Sequence, residues 1–134
     1  MKNSTAVANI SSDVINILGL GIISAPILFG QSNREHIEKN HPATFAKYSR
    51  IFDSVISSVL KNPDYVGNRD GAIEYVKIMP DGEILKVAVR SSKNGVYFAR
   101  TMYPIQQEEL DRFLSKNTLK KVSVLTKQVK QVKI

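Results

Sequence analysis

The chain has 134 residues and a formal net charge of +7, enough for one domain with a modest core. It contains no cysteine, which excludes a disulfide framework, a thiolate metal site and a cysteine nucleophile. The basicity is mostly C-terminal: from Lys116 onward there are six lysines and no acid, while the residues before it carry 13 Lys+Arg against 12 Asp+Glu.

Taken in chain order, Ser11-Ser12-Asp13 reads as a helix start and Gly19 as its end. The uncharged run Val14 to Gly30 is short for a spanning helix and is broken by Gly19, Gly21 and Pro26, so no stable membrane span is expected. Lys2 alone, with Asp13 following, makes a poor signal-peptide head. "IISAPILF" reads as extended, with Pro26 keeping it at an edge or in an irregular run. Ser32 followed three residues later by Glu35 fits a capping box. That places His36 in the first turns of a short helix stopping near Asn40-His41-Pro42, since Pro42 disfavours helical geometry at His41. His36 and His41 are the only histidines.

Phe45, Tyr48, Ile51, Phe52, Val55, Ile56, Val59 and Leu60 recur at spacings of three and four, predicting one long amphipathic helix with Tyr48 in the core. Asn62-Pro63-Asp64 ends it, and Asp64-Tyr65 read as a turn. The period then changes. "AIEYVKIM" predicts a strand, Pro80-Asp81-Gly82 a turn, and "EILKVAVRSS" a strand with clean alternation. Asn94-Gly95 is a strong hairpin signal, and "VYFARTMY" is its partner strand. A short helix in "IQQEELDRFLSKN" and a last strand in "VSVLTKQVKQVKI" complete an α+β plan.

If Asn94-Gly95 forms a two-residue loop, Lys93 pairs with Val96, Arg90 with Ala99, Ala88 with Thr101 and Lys86 with Tyr103. Lys86, Arg90, Thr101 and Tyr103 then share one sheet face, while Met102 and Arg100 face the helices with Leu85, Val87 and Val89, Arg100 fitting that apolar face badly and expected near its rim. That first face carries donors and no carboxylate, and it suits a phosphate diester. A solvated sheet face is the plain alternative. No metal-ligand spacing, phosphate-binding glycine loop or GxSxG elbow is present, so an enzyme here is expected to need no metal and no cofactor. Metal-free cleavage is easiest on RNA, whose 2′-hydroxyl is an internal nucleophile. Histidine suits the proton transfers, and cations and hydroxyls suit the phosphorane.

"HIEKNHP", an amphipathic helix, "NPDYV", a strand ending "VAVR" and then "TMY" occur in an order that resembles the barnase/EndoU/colicin/RelE-like nuclease superfamily. The nearest branch is the one found in phage proteins and in polymorphic or contact-dependent growth inhibition toxins. The resemblance covers roughly Ile22 to Tyr103. It implies N-terminal helices packed on a twisted antiparallel sheet and endoribonuclease activity, with tRNA one candidate substrate. The catalytic set carried over is His36, His41, Arg90, Thr101 and Tyr103, with Lys86 as a substrate-binding residue. The implied organisation is one toxin nuclease domain over 1–134: an N-terminal helix and extension (1–21), a family-like core (22–115) and a lysine-rich strand or tail (116–134). It further implies a monomeric domain delivered as part of a larger secreted or cell-surface toxin, with Met1 an added start. It would act in the target-cell cytoplasm and be neutralised by an immunity protein with an acidic contact surface. The rival reading is a non-catalytic domain of a phage or secretion-system protein that binds RNA or protein. Plainer roles stay open for each residue: a helix-end ring for His41, strand formers for Thr101 and Tyr103.

Overall fold

The computed structural model describes residues 4–92 and 94–122. Among them are seven strands in one sheet: β1 (Thr5–Asn9), β2 (Pro26–Phe29), β3 (Tyr65–Arg69), β4 (Ala72–Ile78), β5 (Ile84–Ser91), β6 (Tyr97–Ile105) and β7 (Leu119–Lys121). Five helices accompany them: α1 (Ser12–Leu18), α2 (Gln31–Asn40), α3 (Pro42–Lys47), α4 (Phe52–Lys61) and α5 (Gln107–Ser115). The sheet order is β1-β2-β6-β5-β4-β3-β7. The fold is α+β as expected, but the sheet is mixed, because β2 runs parallel to β6 with Ile27 opposite Tyr97.

The N-terminal third departs most from expectation. Residues Thr5–Asn9 form an edge strand antiparallel to β2, in place of an extension. Two alanines in five residues are a weak strand signal. β2 is therefore not an edge strand; Pro26 is tolerated as its first residue, where a missing N–H interrupts no ladder. α1 behaves as its sequence suggests: Ser11 Oγ accepts from the Val14 N–H at 3.2 Å, and Gly19 closes it in the left-handed region. α2 starts two residues earlier than Ser32 suggested. Gly30 is its cap residue, and the Gly30 N–H donates to Asn33 Oδ1 at 3.0 Å. A Cβ at Gly30 would lie 2.3 Å from Ser4 Oγ, so a larger residue there would need the Ser4 hydroxyl to turn away.

The long helix over 45–60 is instead two. α3 begins with Pro42 at its first turn and stops at Lys47; α4 begins at Phe52. The intervening Tyr48 turns towards the β4–β5 connection, where its hydroxyl donates to Glu83 and Lys47 pairs with Asp81 at 2.8 Å and Glu83 at 3.1 Å. Ile51, a member of the predicted stripe, is left 57% exposed at the break. The rest of the stripe stays in register with the core, and Tyr48 is buried in it: Phe45 meets Phe52 with ring centroids 5.1 Å apart.

Two cores result. On one sheet face Tyr75, Leu85, Val87, Val89 and Met102 pack with Val14 of α1 and Phe52, Ile56 and Val59 of α4. On the other, Val76, Ile84 and Ile105 pack under Leu110 and Phe113 of α5. Tyr65 opens β3 and is not a turn residue; Asp64 beside it accepts the Ile78 N–H at 2.8 Å. Among the described residues the last strand is β7, paired with β3 and beginning at Leu119. Most of the predicted final strand, including Lys127, Lys130 and Lys133, lies outside the described residues. Among the described residues no helix is long and apolar enough to cross a membrane.

Candidate active site

The site is built by an irregular hairpin. β5 and β6 do not meet through a two-residue loop: the Ser92 N–H donates to Val96 O at 2.7 Å, and Ser91 faces Tyr97. Lys93, the expected partner of Val96, lies outside the described residues. Arg90 consequently faces Phe98 and Val89 faces Ala99, one step off the expected register. A bulge then absorbs the step, with Arg100 as the extra residue, so that Ala88 faces Thr101 and Lys86 faces Tyr103 as predicted. The bulge also exchanges two side chains. Ala99 goes into the helix-side core, and Arg100, expected on that face, is exposed on the Thr101 side.

On that side a cavity of about 720 Å³ opens beyond the part of the sheet that α5 covers. His36, Arg90, Thr101 and Tyr103 line it, as do Arg69, Arg100 and Glu74. Three guanidinium groups from three strands thus converge on one concavity, with the Glu74 and Asp70 carboxylates beside them. Arg90 is held by the β3–β4 turn: its Nη1 donates to Asp70 O at 2.7 Å. Asp70 and Gly71 both have positive φ, 54° and 81°, the geometry of a tight two-residue hairpin. Asp-Gly was the sequence signal for this turn, and with it Arg69 would have been placed at a strand end beside the site.

Thr101 Oγ1 is buried at the cavity wall and has no hydrogen-bond partner among the described residues. Leaving a hydroxyl unsatisfied costs about 1–3 kcal/mol, a cost that an acceptor entering the cavity would relieve. His36 comes from α2. Asn40 Nδ2 lies 3.1 Å from His36 Nδ1 and also donates to His36 O at 3.0 Å. Asn40 therefore covers Nδ1, and Nε2 is the nitrogen left for a substrate. A half-turn of the Asn40 amide would offer Oδ1 to a protonated Nδ1.

The other two candidates sit behind the wall. His41 does not line the cavity; its ring stacks on Tyr103, centroids 4.8 Å apart and 16° from parallel. Burial, and then the charge of His36, hold the His41 imidazole below its ordinary value. Lys86 is 1% exposed. Its Nζ sits 2.9 Å from Glu74 Oε2, between the rings of Tyr103 and Phe113. It holds Glu74, which also receives Arg69 at 3.2 Å, and does not face the cavity. Among the described residues no three His, Asp or Glu side chains come together as a metal cluster.

A family model described as phage-Barnase-EndoU-ColicinE5/D-RelE like nuclease3 matches residues 5–112. The match extends the resemblance at both ends, taking in β1 and most of α5. Neither the curated proteins nor the solved structures hold a match to the chain.

Proposed function

The chain belongs to this phage Barnase-EndoU-ColicinE5/D-RelE-like nuclease family, and on that premise we propose that it is a metal-independent endoribonuclease whose active site is the cavity between α2 and the β5–β6 hairpin. One observation carries the reading: a histidine, an unpartnered threonine hydroxyl and three arginines converge on one concavity. In the reaction the RNA 2′-oxygen attacks the adjacent phosphorus, the bond to the 5′-oxygen breaks, and a 2′,3′-cyclic phosphate and a 5′-hydroxyl result. His36, on the cavity wall, takes the 2′-hydroxyl proton through Nε2, and the Tyr103 hydroxyl on the same wall gives a proton to the 5′-oxygen. His41 acts indirectly, by holding the Tyr103 ring in its stack. Arg90 and Arg100 neutralise the phosphorane, and Thr101 donates to one of its oxygens. Lys86 acts indirectly, by fixing Glu74 and, through it, Arg69. The Glu74 carboxylate on the cavity wall is already engaged by Arg69 and Lys86, which supports a reaction run by these side chains alone.

The same reading extends to a toxin carried by a larger delivered protein, acting on RNA such as tRNA in the cytoplasm of a target cell and neutralised by an acidic immunity protein. The test is direct. Purified protein incubated with total RNA should cleave it equally with and without EDTA. Absence of cleavage would overturn the enzyme reading in favour of a binding domain, and EDTA-sensitive cleavage would overturn its metal independence.

A further inference from the structure

A second groove of about 400 Å³ adjoins the proposed active site. Arg69 belongs to the walls of both. Its other walls are the C-terminal end of α5 and the turn into β7: Arg112, Phe113, Lys116 and Thr118. Glu109, from the acidic first turn of α5, bounds it on one side. The Arg69 and Arg112 guanidinium carbons stand 4.7 Å and 5.7 Å from the centre of the same Phe113 ring. Both cations are therefore gathered at one aromatic floor. Lys116 follows at the end of the helix, and Lys120 and Lys121 are exposed on β7.

We infer that this groove is an extension of the substrate path, holding the RNA backbone several nucleotides away from the scissile phosphate. The inference rests on the ribonuclease reading of the cavity and goes beyond it, since Lys116, Thr118 and β7 lie past the family-matched span. Arg112 and Lys116 also sit where cations ordinarily face a helix C-terminus. That role alone does not account for Arg69, which comes from another strand and joins the two concavities. The path has a direction: Glu109 repels a phosphate at the acidic end of α5, so the strand runs from Arg69 towards Lys116 and β7. Recognition would be of phosphates and tolerant of sequence, because guanidinium and ammonium groups supply nearly all the donors.

The test compares the unaltered protein with Arg112→Ala/Lys116→Ala. Both side chains are exposed, and unchanged thermal unfolding would confirm that the variant is folded. The probes are a 2′-O-methyl RNA strand of about 12 nucleotides and a 2′-O-methyl dinucleotide. Neither can be cut by 2′-hydroxyl attack, so the outcome is separate from whether the cavity is a nuclease. The variant should bind the long strand about tenfold more weakly, with a salt dependence shallower by about 1.4 in the log–log slope, while the dinucleotide is unaffected. Equal loss for both probes would overturn the inference. So would no loss for the long strand, which would leave these cations to an acidic protein surface.

Discussion

Two ends of one sheet face carry cations with opposite fates. Under α5, Lys86 is sealed between Tyr103 and Phe113 and paired with Glu74. Beyond α5, Arg90 and Arg100 are exposed on a cavity wall, and neither forms an ion pair among the described residues. Lys86 and Arg90 alternate along the same strand and look equivalent in the sequence. What separates them is a helix that covers one and not the other. Burial decides which cation can meet a substrate and which must be neutralised within the protein.

Substitutions can break that contrast. The largest effect is expected at the open end: His36→Ala should slow RNA cleavage by about 10²–10⁴-fold and move stability by no more than about 0.5 kcal/mol, measured by single-turnover assay alongside chemical denaturation. At the sealed end the pattern should invert. Lys86→Ala should cost about 3 kcal/mol of stability, because Glu74 is left buried with only Arg69 to pair it. Equal activity loss from Lys86→Ala at undiminished stability would show that Lys86 reaches the substrate after all. Arg90→Ala and Arg100→Ala should each lower kcat/KM by about 10²-fold with little change in melting temperature. An Arg100→Ala protein as active as the unaltered one would mean that the bulge serves the sheet alone.

The smallest effect is a titration. The folded His41 value lies below its ordinary 6.5, so the unfolded chain takes up that proton first. His41 therefore contributes its stability in full above about pH 6.5, and it is lost as pH falls from there towards the folded value. In an NMR titration His41 should move upward in His36→Gln, which removes the neighbouring charge. It should stay below 6.5, because burial is the larger cause. No movement would place the two rings out of electrostatic reach.

Much of this arrangement was legible in the chain. The pairs Ala88–Thr101 and Lys86–Tyr103 follow from strand alternation and an approximate turn position. The helix around His36 was read from Ser32 and Glu35, two positions off its observed start, and its stop before Pro42 follows from proline geometry. Arg100 was not legible, because a longer loop and a bulge cancel each other in the register of Ala88–Thr101 and Lys86–Tyr103 and reverse the β6 side chains between them, Ala99 and Arg100 included. The break at Tyr48–Ile51 was hidden too, since Phe45 and Phe52 keep one helical period across it while Glu83, distant in sequence, draws Tyr48 away. The burial of Lys86 depends on where α5 docks, which no local pattern encodes. The Asp70–Gly71 turn was readable from its dipeptide and would have brought Arg69 to the site.

The central claim is that RNA is cut in this cavity by its own 2′-hydroxyl. The most direct measurement is cleavage of an RNA strand that carries a single 2′-deoxy nucleotide on the 5′ side of its mapped cut. The prediction is that this cut disappears, while the unmodified strand yields 2′,3′-cyclic phosphate and 5′-hydroxyl ends. Cleavage that persists at the deoxy position, leaving a 5′-phosphate, would contradict it.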